Sequence, residues 1–133
     1  MDYFDASIEV SEVSEVSEIS EISIEGIDVS KGMESARGRI KFYKMLLNTY
    51  HGDGAETCAN IETSLKNRDL ILYTTYVHGL KSASDVVGAE KISDASKLLE
   101  DAGNRGDWDY IEKHNSDFLA EYKKLLENIN AAL

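Results

Sequence analysis

The chain has 133 residues, a net charge of −11, no proline and one cysteine. That length suits one domain with a true core, and a single cysteine excludes an intramolecular disulfide. The acid-rich balance lacks the clustered Lys and Arg of a nucleic-acid surface, and no run approaches the ~20 apolar residues of a membrane span.

The charge is concentrated at the start. Residues 1–30 hold nine acids and no Lys or Arg, whereas the rest carries 16 acids against 14 bases. This beginning also lacks the basic-then-apolar order of a signal peptide, so a soluble, cytoplasmic protein is expected. Residues 8–24 repeat Ser-Glu-Val or Ser-Glu-Ile, with apolar residues at Val10, Val13, Val16, Ile19 and Ile22. On an α-helix a three-residue step drifts by about 60°, and on a strand alternate members face opposite sides. β-Branched residues and serines also disfavour a helix. Residues 1–27 are therefore expected to be a flexible acidic tether, with serines open to phosphorylation or partner contact, and residues 28–133 the folded domain.

From Ile27 onward the pattern is helical, and the absence of proline removes the usual helix terminator. Asp28 or Ser30 can cap a short first helix ending near Gly38. Ile40, Tyr43, Leu47 and Tyr50 form an apolar seam that the run His51-Gly52-Asp53-Gly54 is expected to stop or bend. Asp53 with Glu56 resembles a capping box for a further helix, burying Cys58, Ile61 and Leu65 and ending near Asn67. Cys58 on that stripe reads as a buried, inert thiol. The Gly-Asp-Gly turn itself reads as a helix breaker, not an anion cradle.

Asp69 starts the next helix, whose seam is Leu70, Tyr73, Val77, Leu80, Ser84 and Val87, ending at Gly88. Another follows from about Glu90 to Ala102, turning Ile92, Ala95, Leu99 and Ala102 inward, with Gly103 as its C-terminal glycine. Asp107 caps the last and longest helix, with the seam Ile111, Asn115, Phe118, Tyr122, Leu125 and Ile129. Short connections imply antiparallel neighbours. The expected fold is all-α: an antiparallel up-down four-helix bundle with short additional N-terminal helices.

Chemistry concentrates on the helix from Asp69 to Gly88. His78 lies one residue off the seam and so projects from the helix flank towards water. Lys81 and Ser82, three and four residues on, share its face. This sets an imidazole beside a cation, with a small residue leaving room for a large partner. Gly79 costs up to ~1 kcal/mol mid-helix relative to Ala and is read as clearing space beside the ring. Thr74 and Thr75, one turn earlier, are candidates for a docking rim. Asp85 can hold Lys81 or simply face solvent. His51 and His114 show no ligand spacing suited to a metal.

The run His78, Leu80, Lys81, Ser82, followed by Gly88-Ala89, resembles the signature of the histidine-containing phosphotransfer (HPt) domain of bacterial phosphorelays. The likeness continues through Ile92, Ala95, Leu98-Leu99-Glu100 and Gly106-Asp107, covering roughly residues 26–130. Ser82 stands where the family more often has glycine. The resemblance implies that Nε2 of His78 accepts a phosphoryl group from a receiver-domain aspartate and passes it to another, with Lys81 as electrostatic support. It implies no cofactor of the chain's own, since the receiver brings the Mg²⁺. It also implies response-regulator receivers and a sensor or hybrid histidine kinase as partners, and a monomeric domain. The chain has no ATP-site motif and is not expected to be an enzyme or autokinase. Two other readings stay open. One is an HPt-like docking module without turnover. The other is a chemotaxis-kinase-type domain phosphorylated directly by an ATP-dependent core.

Overall fold

Each apolar seam becomes the buried stripe of one helix. A computed structural model describes residues 22–133, and among these the chain forms five α-helices and no strand. They are α1 (Val29–Ser35), α2 (Ile40–Lys66), α3 (Leu70–Val87), α4 (Glu90–Asn104) and α5 (Trp108–Ala132). Three begin on an aspartate whose carboxylate accepts a backbone N–H of the first turn. Asp28 accepts from Lys31 at 3.1 Å, Asp69 from Leu72 at 3.1 Å and Asp107 from Tyr110 at 3.0 Å. Each such cap satisfies a donor that the helix itself leaves unpaired.

The connections between α2, α3, α4 and α5 are too short for anything but antiparallel neighbours. Successive helices pack on one another, α2 closes the ring against α5, and α1 lies across α2 and α3. The result is the expected four-helix bundle with a short helix at one end. Tyr43, Leu47, Ile61, Tyr73, Val77, Leu99, Ile111, Tyr122 and Ile129 fill its centre. Each contributes about 1.5–3 kcal/mol through removal of apolar surface from water.

Three buried tyrosines each find a hydroxyl partner, as low-polarity surroundings require. Tyr43 donates to the Val87 carbonyl at 2.9 Å, Tyr50 shares a hydrogen bond with Ser84 at 2.8 Å, and Tyr73 donates to Asn115 Oδ1 at 2.7 Å. Burial pushes the Tyr43 hydroxyl up to about 12. Asn115, the polar member of the α5 seam, is thus explained by Tyr73. Tyr73→Phe should cost about 1–3 kcal/mol, because it leaves the buried Asn115 amide oxygen unpaired. Adding Asn115→Leu should recover part of the loss. Urea unfolding of both variants checks this, and a double variant less stable than Tyr73→Phe alone would contradict it.

Two expected boundaries are wrong. The run His51-Gly52-Asp53-Gly54 neither stops nor bends the chain but lies inside the 27-residue α2. His51 is therefore a helical residue and not part of a loop, and no separate helix starts at Asp53. Gly54 is buried against α5, where a Cβ would sit 2.3 Å from Leu126 Cδ1 and the leucine side chain would have to shift. Burial of Tyr50, Cys58 and Ile61 on either side outweighs the ~1 kcal/mol propensity loss per glycine. Likewise Gly103 does not end α4, which runs on to Asn104; Gly106, at φ 70°, makes the turn instead.

Most of the expected tether, residues 1–21, lies outside the described residues. The remainder, residues 22–27, packs on the bundle: Ile24 is buried, and Ile22 and Ile27 are partly so. Asn128 Nδ2 donates to the Glu25 carbonyl at 3.2 Å, and the Asp28 N–H donates to the Gly88 carbonyl at 2.8 Å. Packed structure therefore begins several residues before Asp28. Cys58 is buried as expected, and that burial raises its thiol pKa.

Candidate functional site

α3 and α4 form an antiparallel hairpin about Gly88 and Ala89. In such a hairpin, residues equidistant from the turn come level with one another. His78 and Glu100 are 22 apart and centred on Ala89, and their side chains meet: His78 Nδ1 is hydrogen-bonded to Glu100 Oε2. The other carboxylate oxygen accepts from Lys81 Nζ at 3.0 Å. One carboxylate thus holds both the imidazole and the ammonium group that the helical spacing had placed on a shared face. The same reflection pairs Asp85 with Ser93, whose hydroxyl donates to it.

The three groups differ sharply in exposure. The His78 side chain is 60% exposed, whereas that of Glu100 is only 12% exposed. Burial alone would raise the Glu100 pKa. The hydrogen bonds from Lys81 and His78, reinforced by their charges, outweigh it and hold the carboxyl below its ordinary value. An ionised carboxylate can only accept, so Nδ1 of His78 must carry the proton donated to it. In the neutral ring, Nε2 then holds the lone pair.

A group with a depressed folded pKa contributes stability that is present above its unfolded value and lost as pH falls through the folded one. For a carboxyl of Glu type the unfolded value is about 4.3. Glu100→Gln should therefore destabilise the protein most above that pH, with the gap to wild type narrowing on acidification. Urea midpoints measured from pH 6 down to pH 3 test this. A gap of constant size would show that the ionised carboxylate adds nothing to stability.

His78 and Glu100 also line an open groove of roughly 660 Å³ between α3 and α4, together with Leu70, Ile71, Thr74, Thr75, Gly103 and Asn104. Ile71, 81% exposed, lies at its edge. Gly103 lets the two helices approach closely here, since a Cβ would fall 2.1 Å from Thr74 Oγ1. Thr74 and Thr75 are fixed by hydroxyl bonds to the Leu70 and Ile71 carbonyls, at 2.7 and 2.8 Å.

The structure separates the other candidates. Ser82 is exposed one turn beyond His78. Gly79 has open space where a Cβ would go, but it lines a different groove, shared with Tyr50, Asp53 and Tyr76 between α2 and α3. Asp85 is engaged by Ser93 and does not hold Lys81. His51 and His114 are half-buried on α2 and α5, the latter with its ring 4.3 Å from that of Tyr110. Among the described residues no three His, Cys, Asp or Glu side chains cluster as a metal site, and no helix is long and apolar enough to cross a membrane.

Glu100 is the site residue that helical periodicity missed, because it comes from another helix. Reflection of His78 about the Gly88-Ala89 turn would have found it. Fold and site together define a helical bundle that presents a solvent-facing imidazole, oriented from behind by a carboxylate.

The family model described as "Hpt domain" matches residues 45–133. The chain belongs to the Hpt domain family, whose members are phosphotransfer modules of phosphorelays and act with histidine kinases and receiver domains. A solved structure, the HPT domain from a Shewanella Hpt sensor hybrid histidine kinase, superposes with a TM-score of 0.73 at 19% identity, covering 80% of this chain and 92% of that one. At that identity the likeness speaks for the fold. The search of curated proteins gave no match.

Proposed function

We propose that His78 is the phospho-acceptor of a phosphorelay step, taking a phosphoryl group from one receiver aspartate and passing it to another. The observation that carries this reading is the His78–Glu100 hydrogen bond on an otherwise exposed ring. It engages Nδ1 and leaves Nε2 as the nucleophilic nitrogen.

In the forward step the Nε2 lone pair forms the N–P bond while the P–O bond to the receiver aspartate breaks, returning that aspartate to a carboxylate. The proton on Nδ1 stays in place, so the ring gains positive charge. The Glu100 carboxylate stabilises that charge as the buried aspartate of a Ser-His-Asp triad stabilises its imidazolium. Delivery to the second aspartate reverses these changes. Phosphoryl transfer asks mainly for alignment and charge neutralisation, and Mg²⁺ arrives with the receiver.

Lys81 takes a double part in this scheme. It holds Glu100 in register, and it lies one turn from the phosphoryl oxygens as a cation. Thr75, Ile71 and Ser82 flank the ring as contact surface, Thr74 supports the groove, and Gly79 and Asp85 stand outside it. The protein would act as a cytoplasmic monomer, without ATP chemistry of its own.

The test incubates the full chain with a panel of phosphorylated receiver domains. Acid-labile, base-stable label on the chain is the expected result. A folded chain that takes no label from any receiver would overturn the reading. Label arriving only from a kinase core with ATP, no receiver being present, would replace it with direct phosphorylation.

A further inference from the structure

At the end of the bundle away from the Asn67–Asp69 turn, the start of α2 carries a basic and apolar strip, beside exposed acids at Asp28, Glu34 and Glu90. Between Ser35 and Gly52 the sequence has Arg37, Arg39, Lys41 and Lys44 and no acid. All four are exposed, and the described ion pairs engage other cations. Lys41, Lys44 and Met45 are helical neighbours at three- and four-residue steps, and Phe42 lies three before Met45. Phe42 and Met45 are 50% and 52% exposed, so two large apolar side chains sit among the cations.

The start of α2 accentuates this charge. Its N-cap residue, Arg39, makes no side-chain capping bond, and its first turn holds no acid. Cations at a helix N-terminus oppose the helix dipole, so a complementary anion would relieve the arrangement. Arg37 adds to it from a left-handed backbone at φ 55°, which a non-glycine residue adopts at some cost.

The sequence contains a segment of matching chemistry. Residues 1–21 hold seven acids and no base, with glutamate directly before each of Val10, Val13, Val16, Ile19 and Ile22. The chain that follows the repeat packs at the same end of the bundle, with Glu25 and Gly26 against Asn128 and Leu125 of α5. Asp28 bonds to the Gly88 carbonyl, and Tyr43, within the patch-bearing turn of α2, bonds to the adjacent Val87 carbonyl. Twenty-one residues can span up to about 70 Å when extended, so the whole repeat can reach. Such tethering supplies an effective concentration on the order of millimolar.

We propose that the acidic repeat docks on the chain's own patch formed by Arg37, Arg39, Lys41, Phe42, Lys44 and Met45. Glutamates pair with the cations while valines and isoleucines cover Phe42 and Met45. The charge component is exposed and therefore sensitive to salt, since screening acts over about 10 Å at 0.1 M. The contact is independent of phosphotransfer at His78, which lies on α3 about nine residues, or ~14 Å of helix, from the level of Val87.

Amide NMR spectra of the full chain test it, using wild type and a variant with Glu9, Glu12, Glu15, Glu18 and Glu21 all changed to Gln. At low salt the signals of residues 37–45 should differ between the two. Raising salt to about 0.5 M should move the wild-type signals towards those of the variant. Tenfold dilution should leave the wild-type shifts unchanged. Coincident low-salt spectra over residues 37–45 would overturn the proposal. So would differences confined to another surface, such as that around Lys91, Lys124 and Asn128. Shifts that fade on dilution would mean that a second copy, not the tethered segment, occupies the patch.

Discussion

His78→Gln is expected to abolish phosphoryl acceptance, by at least about 10³-fold, while leaving the fold in place. The loss is chemical. A carboxamide nitrogen has no available lone pair, because it is delocalised into the carbonyl. The fold should survive because the His78 side chain is largely exposed. Its one buried partner, Glu100, keeps Lys81 and can accept from the new amide N–H. A stability change within about 0.5 kcal/mol follows for such a surface position. The measurement pairs label transfer from a phosphorylated receiver with a urea unfolding curve. Label retained at wild-type level would move the acceptor to another residue, with the half-buried His51 and His114 the first to examine. Loss of label with loss of folding would leave His78 a structural residue.

Gly88→Ala should be the most damaging small substitution in the bundle, at about 2–4 kcal/mol. Two independent effects add at this position. Gly88 has φ 87°, a left-handed conformation that costs an alanine roughly 1–2 kcal/mol. An added Cβ would also fall 2.1 Å from the Asp28 carbonyl oxygen and 3.1 Å from the Gly32 nitrogen, both backbone atoms that no rotamer change can move. The residue cannot accept a side chain unless residues 28–32 lift away. Yet the Asp28 N–H bonds to the carbonyl of that same glycine.

Hydrogen exchange should therefore accelerate first in Ile24–Ser35, ahead of the bundle centre. Gly52→Ala provides the contrast. Its Cβ would meet nothing within 4 Å, inside a helix where glycine is the poorer former, so it should stabilise by up to about 1 kcal/mol. Equal effects at the two positions would mean that helix propensity, not the α1–α3 contact, governs Gly88.

The two helix boundaries missed in the sequence share a cause. Local propensity makes Gly52, Gly54 and Gly103 helix breakers, but propensity weighs a glycine only against its own helix. Gly103 lets Thr74 of α3 come near, and Gly54 faces the end of the Leu126 side chain on α5. That neighbour is set by tertiary packing. Gly88, by contrast, was legible because it follows an uninterrupted seam, and its left-handed turn is a local property. Asp85 could not be assigned from its own helix either, since its partner, Ser93, lies beyond the turn.

The sequence by itself determined the helical class, the buried seams, the caps at Asp69 and Asp107, and the grouping of His78 with Lys81 on one flank. These follow from a period of 3.6 residues and from hydrogen-bonding needs within one turn, both of which act over a few residues. Only the tertiary structure decided that α2 runs unbroken through His51–Gly54 and that Ile24 belongs to the core. It also brought Glu100 behind His78 to orient the ring. Each of those depends on which surfaces meet when separate helices pack, and a buried carboxylate is tolerable only once Lys81 and His78 have been brought to it.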